Sequence, residues 1–536
     1  MFRLPFRKKQ KMADGGIKNA ETKPDSTMQS PDSAAQSPDS TTLSTDSVTL
    51  SGFLDENINA VARLFTDVDI LRIRRIENNH NKKQKYAIVY IDGVVDSAIM
   101  NDNLIKPLMV STVQTSGKDL LDTVMNQIVQ INDIKKTNQM EDIVEAVAYG
   151  DTVLFVDGAQ QALILNTKNF QTRPIAEPEN EKNLAGPREG FSEIILLNLS
   201  LIRRKILSPD LKMKFLSLGR RTKTKVCVCY IDGLVNKQIL EELMRRLNQI
   251  DIDAVLDTGY INELIKDAQT SPFRTIGDTE RPDVVIGNLM EGRIAVFLDG
   301  SPSVLTVPFL FIENFQSSED YYVSFFYSSF MRMLRISGFF LTITVPAMYI
   351  AVVAFHHEMM PIQLFINIAS ERQGVPLPAA LEAILMLIVF DVLRESGIRM
   401  PTGVGQALSI VGALVIGQAA VEAKLVAAPM IIVVAFTGIT KMLLPKMPAP
   451  MIYLRLFLLI LASSFGFFGV VLGLSCIAIH IINLRSFGIP QVTLTANLKY
   501  QEVKDTYIRA PWWTMIRRPR SSEDKVRQSK GEGGHA

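Results

Sequence analysis

The stretch ISGFFLTITVPAMYIAVVAFH, residues 336–356, divides the chain into two halves of different composition. A hydrocarbon core of about 30 Å needs roughly 20 apolar residues in a helix, and this stretch meets that need. Residues before about Ser317 carry most of the charge, whereas residues 336–484 are mostly apolar. The sequence therefore predicts a soluble N-terminal half followed by a membrane-embedded helical half.

The charges that flank this stretch predict its orientation. Arg332 and Arg335 precede it, whereas residues 356–365, HHEMMPIQLF, contain no Lys or Arg. Flanking Lys and Arg are favoured on the cytoplasmic side, so the soluble half is predicted to be cytoplasmic. The region after residue 484 is also basic and is also predicted to be cytoplasmic; its arginines include Arg509, Arg517, Arg518 and Arg520.

Four more hydrophobic segments follow, at residues 379–393, 404–423, 425–444 and 451–484. The first is short and polar, which predicts that it lines an aqueous path, packs inside an assembly or lies at the interface. The last exceeds one span, which predicts a tilted or extended helix. Two cytoplasmic ends require an even number of crossings. Four spans, with residues 379–393 re-entrant or interfacial, fit best, and other counts remain open.

Polar residues within these segments are the candidate functional residues, because ionisable side chains are rare inside membranes. Glu382, Asp391 and Glu422 are predicted to line a pore, to hold subunits together through buried hydrogen bonds, or to lie at the interface. Small residues in 404–423 are predicted to permit close helix–helix contact. The candidate pore or subunit-contact residues are Glu382, Asp391, Glu422, Gln406, Gln418, Gly405, Ser409 and Gly412.

The soluble half contains an internal duplication. Residues 90–93, YIDG, recur as residues 230–233, and residues 150–158, GDTVLFVDG, recur as residues 292–300, GRIAVFLDG. The apolar runs AIVYI, VCVCY, TVLFV and IAVFL in these motifs are short and rich in β-branched and aromatic residues, which is typical of buried strands. The pattern predicts two related α/β subdomains, joined by a linker near residues 166–190.

No catalytic constellation emerges from the sequence. The aspartates of the Asp-Gly pairs stand where tight turns need them. The chain has no Walker loop, no GxGxxG motif after a strand, no HExxH motif and no nucleophile elbow, and its five histidines are scattered. The prediction is that the protein is not an enzyme, with no catalytic, cofactor-binding or metal-binding residues and no cofactor.

Cysteine use and net charge exclude other classes. Cys227 and Cys229 would share one face of a strand and are predicted to be small buried hydrophobes. A metal site would need further ligands, and the neighbouring sequence contains no further Cys and no His. The net charge is +2, so no global basic field points to nucleic acid. The N-terminal region is predicted to be a solvated tail, and the alternative is that its basic start, residues 3–11, contacts anionic membrane lipids.

The predicted fold class is an α/β soluble N-terminal region with two related subdomains plus an α-helical transmembrane bundle. The predicted regions are a disordered tail rich in Ser, Thr, Pro and Asp (1–51), a first cytoplasmic α/β subdomain (52–185), a second (186–330), a transmembrane helical domain (331–484) and a basic cytoplasmic C-terminal tail (485–536).

Motifs in both halves resemble the A subunit of GerA-type spore germinant receptors. In the soluble half these are GPREGF, NLSLIRRKILSPDLK, YIDGLVN, DIDAVLDTGYINELI, TERPD, EGRIAVFLDG and FQSSEDYY. In the membrane half they are LRESGIRMPTGVGQALSIVGALVIGQAAVEAKLV and INLRSFGIP. The similarity covers roughly residues 50–519. The chain departs from the pattern at residues 402–404, Thr-Gly-Val, where the family usually has Arg-Pro-Ile, and at Lys424, where it usually has Gly.

The resemblance implies a role in breaking spore dormancy, as a multi-pass protein of the spore inner membrane. It implies two partners, a transporter-like B subunit that binds the nutrient and a lipoprotein C subunit. It also implies homo-oligomerisation, as a pentamer, into a nutrient-gated cation channel. The alternative is a non-conducting scaffold or signalling adaptor of the germination apparatus. A secondary transporter would need inverted membrane repeats, and the duplication is seen only in the soluble half.

Overall fold

The computed structural model describes residues 49–112, 118–168, 181, 183, 185–400, 402–492, 505–516 and 518, without the side chains of residues 118–119 and 402–411. Nearly all of the predicted tail 1–51 lies outside the described residues. So do most of the predicted linker near 166–190, and Arg517 and Arg520. The side chains of Gly405, Gln406 and Ser409 are also outside them.

The first soluble subdomain is built on a five-stranded antiparallel sheet with the order β1-β2-β4-β5-β3. Its strands are β1 (Leu71–Glu77), β2 (Lys85–Ile91), β3 (Ile134–Thr137), β4 (Thr152–Val156) and β5 (Ala162–Leu165). Its helices are α1 (Leu54–Leu64), α2 (Ser97–Ile99), α3 (Lys106–Val110), α4 (Lys118–Thr123) and α5 (Met140–Tyr149), with π-helical turns at Met100–Ile105 and Val124–Ile128.

The second subdomain repeats this plan, with the strand order β6-β7-β9-β10-β8. Its strands are β6 (Leu211–Leu218), β7 (Thr224–Ile231), β8 (Gly277–Thr279), β9 (Ile294–Leu298) and β10 (Val304–Val307). Its helices are α6 (Ile195–Lys205), α7 (Lys237–Asn248), α8 (Thr258–Ile265) and α9 (Pro282–Met290). The four apolar runs of the duplicated motifs lie in β2, β4, β7 and β9. The predicted pair of related α/β subdomains is therefore confirmed.

Alternation along the central strands explains why each sheet is covered on both faces. Successive side chains of a strand point to opposite faces. In β7, Cys227 and Cys229 point into a core shared with the first subdomain, whereas Val226 and Val228 point into a separate core with α7 and α8. The two cysteines are fully buried, with sulfur atoms 3.7 Å apart. Their prediction as buried small hydrophobes is confirmed.

The Asp-Gly pairs after the strands form turns, as predicted. Gly158 and Gly300 have φ of +83° and +89°, in the left-handed region that favours glycine. The N–H of Gly158 donates to the carbonyl of Gly52, and that of Gly300 donates to the carbonyl of Glu193. In both copies the turn therefore holds the chain segment that enters the first helix of its subdomain.

A buried asparagine repeats this relationship and extends the duplication beyond the motifs visible in the sequence. Asn57 of α1 accepts the N–H of Ser51 at 3.0 Å and donates to the carbonyl of Ser51 at 2.7 Å. Asn198 of α6 makes the same two bonds with Ser192, at 2.8 and 2.6 Å. Each asparagine thus satisfies the backbone of the loop before its own helix.

The second half of the chain is helical. Its helices are α10 (Phe325–Ala354), α11 (Ile362–Arg372), α12 (Ala379–Arg399), α13 (Thr402–Glu422), α14 (Ala428–Met442) and α15 (Pro448–Asn483), with 3-10 turns at Phe311–Phe315, Ser318–Tyr321, His357–Met359 and Trp512–Thr514. Among the described residues, α10 and α15 are long and apolar enough to cross a membrane. The segment expected to be short, 379–393, belongs to a helix of 21 residues.

The final hydrophobic stretch folds back on itself, so the expectation of one tilted or extended helix is wrong. Gly466 breaks α15 with φ +60° and ψ −137°. A Cβ on Gly473 would lie 2.5 Å from Leu458, a residue that would be far away in a straight helix. A Cβ on Gly466 would lie 2.8 Å from Phe355, at the end of α10. Residues 448–465 and 467–483 therefore form an antiparallel helical hairpin.

The residues that directly follow α15 contact the second soluble subdomain. Strands β11 (Arg485–Ser486) and β12 (Ile489–Pro490) form a small antiparallel pair. Ser486 donates to the carbonyl of Thr275, and the side chain of Phe487 enters the core of the second subdomain. The end of α15 is therefore anchored to the soluble half, because these contacts are made within a few residues of its last turn.

Candidate functional site

Asp391 forms the centre of a charge cluster that joins three helices of one chain. One carboxylate oxygen of Asp391 on α12 lies 2.7 Å from Lys441 Nζ on α14. The other oxygen lies 2.7 Å from Arg455 Nη2 on α15. The Lys441 and Arg455 side chains are almost fully buried, and Asp391 is about one quarter exposed. The cluster carries one more positive than negative charge, and opposite charges buried this closely hold the helices together.

Glu382 occupies a second buried polar site, in the first turn of α12. Its side chain is completely buried, and one carboxylate oxygen lies 3.3 Å from Arg372 Nη2 on α11. Its other oxygen accepts the N–H of Ala427, just before α14, at 3.2 Å. Glu382 therefore ties α11 and the start of α14 to α12.

The remaining described candidates lie on α13. Gln418 donates to Glu422 at 2.9 Å, and both side chains are exposed at the surface of the chain. A Cβ on Gly412 would lie 3.0 Å from Leu393 of α12, so this glycine permits a close helix contact inside the chain. The structure therefore separates the candidates into two sets: Asp391, Glu382 and Gly412 face neighbouring helices, and Gln418 and Glu422 face outward.

The backbone conformation of Lys424 explains why the family that this chain resembles usually has Gly at this position. Its φ is +54°, in the left-handed region that most side chains disfavour. The N–H groups of Lys424 and Leu425 donate back to Val421 and Ala420 at the end of α13. Lys424 thus ends the helix in the conformation that glycine adopts with least cost.

A third charge cluster joins the base of α10 to segments on either side of the helical region. Arg332 is fully buried and lies 3.3 Å from Asp320 and 3.1 Å from Asp505. Arg335 lies 2.9 Å from Asp320, and the Tyr321 hydroxyl donates to Asp505 at 2.8 Å. Burial raises the pKa of the Asp505 carboxyl, although Arg332 acts in the opposite direction. Arg332 and Arg335, which predict the orientation of the first apolar helix, therefore also connect that helix to neighbouring segments of the chain.

The sequence predicts the carboxylates of the apolar half as candidates but does not reveal their partners. Lys441, Arg372 and Arg455 are not among the residues that the sequence predicts to be functional. The available signal was charge: a cation within or beside an apolar segment needs a partner. What the sequence lacks is the pairing, since Asp391 is separated from Arg455 by 64 positions.

A cleft of about 510 Å³ with mixed charge lies in the soluble half. The Tyr230 hydroxyl lies 3.5 Å from Asp67, and burial together with the charge of Asp67 raises the pKa of Tyr230 to about 12. Burial lowers the pKa of Lys212, and the nearby carboxylates of Asp232, Asp210 and Asp67 oppose this effect. Because cationic and anionic groups are balanced in this cleft, its charge selects no ligand class.

The sequence model of the family described as Bacillus/Clostridium GerA spore germination protein matches residues 59–521. Spore germination protein KA of Bacillus subtilis (strain 168) is 41% identical, covering 87% of this chain and 86% of that protein. The uncharacterized membrane protein YfkQ of the same strain is 42% identical, covering 81% and 84%.

Two further comparisons concern A-type proteins. Spore germination protein GerLA of Bacillus cereus is 37% identical, covering 82% of this chain and 89% of that protein. The crystal structure of the N-terminal domain of the A subunit of the Bacillus megaterium spore germinant receptor GerK3 is 34% identical, with a TM-score of 0.40, covering 49% of this chain and 98% of that one. From the family match and the relatives along most of its length, the chain belongs to the GerA spore germination family, as an A subunit of the GerA-type receptors.

Proposed function

We propose that this protein is the membrane subunit of a nutrient germinant receptor in the spore inner membrane, and that it oligomerises, as a pentamer, into a nutrient-gated cation channel. Its partners in this proposal are a transporter-like B subunit and a lipoprotein C subunit. Membership of the germination family supports the role in germination. The observation that carries the channel proposal is the outward-facing Gln418–Glu422 pair on a helix of the apolar half.

The proposed topology has six crossings, made by α10, α12, α13, α14 and the two halves of α15. Lys446 Nζ donates to the carbonyl of Gln316, which supports a cytoplasmic position for the loop between α14 and α15. The contact of Gly466 with Phe355 supports a position for the hairpin tip at the opposite surface. Six crossings return the chain to the side of the soluble subdomains, as an even number requires.

Exposed polar groups on a membrane helix are costly if they face lipid. In an oligomer, Glu422 of each subunit would instead contribute to a ring of carboxylates at one end of an aqueous path, where such rings favour cations. Asp391 and Glu382 have a different part in this proposal. Their carboxylates are already paired with cations of the same chain, so they hold the helices in place rather than meeting the permeating ion.

The experiment compares Glu422→Gln with the matched control Glu395→Gln in the full chain reconstituted in liposomes with its B and C partners. Glu395 is also exposed, but it lies near the C-terminal end of α12, where it pairs with Arg399. Nutrient-dependent potassium flux is measured against chloride flux. We expect Glu422→Gln to reduce the preference for potassium and Glu395→Gln to leave it unchanged.

Potassium release from spores carrying the same variants provides the second readout. Slower release with Glu422→Gln and normal release with Glu395→Gln would agree with the liposome result. Persistent absence of flux from the complete wild-type receptor would contradict the channel and favour the non-conducting scaffold. Normal selectivity of Glu422→Gln would contradict the assignment of the carboxylate ring.

A further inference from the structure

An aromatic patch lies at the base of α10, where the soluble and helical regions meet. Its members have large apolar side chains that are exposed at the surface of the chain. For example, Phe326 is 74% exposed and Trp513 is 71% exposed. Contiguous exposed apolar surface of this kind is usually an interaction site. We call it the basal aromatic patch, and it consists of Phe326, Tyr327, Phe330, Ile508, Trp512 and Trp513.

The patch has a rigid support. Asp505 is fixed by Arg332 at 3.1 Å and by the Tyr321 hydroxyl at 2.8 Å. Four residues farther on, the N–H of Arg509 donates to the Ser329 hydroxyl of α10 at 3.2 Å. Residues 505–516 are therefore held against the first turns of α10 by polar contacts on the inner side. The apolar side chains are left on the outer side.

Ring contacts join the two parts of the patch. The Phe325 ring lies 3.9 Å from the Phe326 ring between centroids, with the two planes tilted by 33°, and meets Trp513 edge to face at 5.9 Å. The Arg509 guanidinium lies 5.6 Å from the centre of the Trp512 ring. Edge-to-face rings and cation–π contacts of this size stabilise a defined arrangement. The tryptophans are therefore presented by a fixed surface that includes α10.

The length of α10 indicates where the patch lies relative to a membrane. Its 30 residues rise about 1.5 Å each, so they span roughly 45 Å against a hydrocarbon core of about 30 Å. The part of α10 that exceeds the hydrocarbon core lies at its N-terminal end, because Arg332 and Arg335 are there and pair with polar groups outside the core. Phe330, Met333 and Phe340 are exposed along one side of α10, so the patch continues the outward side of the proposed membrane span.

We propose that the basal aromatic patch lies in the headgroup region of the leaflet next to the soluble subdomains, and that its partner is the lipid surface itself. Trp and Tyr rings favour this region because they combine an apolar body with a polar edge. In the sequence, Arg517, Arg518 and Arg520 follow this segment, and such basic residues favour anionic headgroups. The C-terminal segment 505–516 thus acts as a lipid-contacting strap on the first membrane helix, a role separate from ion conduction.

The chain provides its own reporter for this proposal, because Trp512 and Trp513 are its two tryptophans. The full chain is placed in nanodiscs of phosphatidylethanolamine and phosphatidylglycerol. Tryptophan fluorescence is then quenched by lipids that carry a spin label near the headgroup or near the end of the acyl chain, and separately by aqueous iodide. We expect a large loss with the label near the headgroup, a smaller loss with the deep label and little loss with iodide.

A pair of variants separates lipid contact from folding. Phe326→Ser with Phe330→Ser retains both tryptophans and is expected to reduce quenching by the shallow lipid label and to increase quenching by iodide. Tyr260→Ser with Leu264→Ser, on the exposed side of α8, is the matched control and is expected to change neither. Protection of the buried Cys227 and Cys229 from a thiol reagent shows that each variant is folded.

Two results would overturn the proposal. Strong iodide quenching without lipid quenching would place the patch in water. Protection from both quenchers would mean that protein covers it, as in an interface with a second copy of the chain. Neither result depends on ion flux, so the test is independent of the channel proposal.

Discussion

The paired asparagines of the soluble half and the Asp391 cluster of the helical half join residues over very different distances in the chain. In the soluble half, Asn57 and Asn198 each bond a loop that lies six residues away. In the helical half, Asp391 pairs with Lys441 and Arg455, which lie 50 and 64 residues away. The asparagine contacts are local and neutral, whereas the Asp391 contacts are distant and charged.

The difference follows from the proposed solvent of each half. A soluble sheet buries apolar side chains from water, so its polar groups serve mainly to complete loops and turns. Helices in lipid gain little from apolar contact with one another, and packing and polar bonds between helices decide their arrangement. Loss of a polar group should therefore have a larger effect in the helical half.

The largest expected effect is that of Asp391→Ala. It leaves Lys441 and Arg455 buried without an anion, which should lower the free energy of unfolding by about 3–5 kcal/mol. The measurement is unfolding of the purified full chain in mixed detergent micelles. Glu395→Ala, which removes an exposed ion pair from the same helix, should change it by less than about 1 kcal/mol.

The same cluster offers a sharper test through its complete replacement. Asp391→Leu combined with Lys441→Met and Arg455→Met removes all three charges together. Such replacements are often neutral or stabilising, so this variant should be more stable than Asp391→Ala alone. Equal stability of the two variants would show that the cost comes from packing rather than from unpaired charge.

Next in size is the pair Asn57→Ala and Asn198→Ala. Each leaves one backbone N–H and one carbonyl before a helix without their partner, at a cost of about 1–3 kcal/mol. Urea unfolding of the full chain, followed by thiol exposure of Cys227 and Cys229, measures the effect. Asn248→Ala, at an exposed site at the end of α7, is the control. A loss confined to one copy would contradict the equivalence of the two asparagines.

Lys424→Gly should have a smaller effect of opposite sign. Glycine relieves the positive φ at this position, and its greater freedom in the unfolded chain offsets part of the gain. We expect a stabilisation of up to about 1 kcal/mol in the micelle assay, and none for Lys424→Ala, which keeps the strained backbone. A destabilised Lys424→Gly would indicate that the lysine side chain makes the greater contribution.

The smallest effect is expected at Glu242, which pairs with neighbours on its own helix. Hydrogen bonds from Arg245 and Arg246 lower the pKa of Glu242 to about 2. A lowered carboxyl pKa stabilises the fold above the unfolded pKa of about 4.3, and the contribution is lost as pH falls towards 2. The pair is solvent-accessible, so its contribution at neutral pH should be under about 1 kcal/mol.

Glu242→Gln should remove this acid dependence. Urea midpoints measured from pH 7 to pH 3 should show a wild-type advantage that shrinks as the pH falls. The adjacent Glu241→Gln is the control, because Glu241 forms no ion pair within the described part of the chain. A difference that is constant with pH would contradict the assignment to this carboxylate.

The strands were predictable because their signal is local. In AIVYI and IAVFL, β-branched and aromatic residues are followed by Asp-Gly, and each pattern recurs in the other copy. The asparagine pairs were detectable in principle, since Ser51 and Asn57 have the same spacing as Ser192 and Asn198. The sequence does not reveal the equivalence, because the five residues between each serine and asparagine, GFLDE and EIILL, have no identical residue at the same position.

The hairpin in α15 could not be predicted from hydrophobicity. Residues 451–484 are apolar throughout, and a glycine within such a run is common in membrane helices. Gly466 becomes a reversal only because Leu458 and Gly473 pack against each other and Phe355 packs at the turn. Those contacts involve residues brought together by folding, so an apolar run alone does not distinguish one long helix from two.

By itself the sequence determined the two-part composition, the duplicated α/β subdomains, the positions of the apolar segments and the family. Each of these depends on patterns within a few tens of residues. Only the tertiary structure decided which cations pair with Asp391 and Glu382, that the last apolar segment turns back, and that residues 505–516 join the base of α10. The reason is that a charge or a glycine gains its role from its neighbours in space, and those neighbours are distant in the chain.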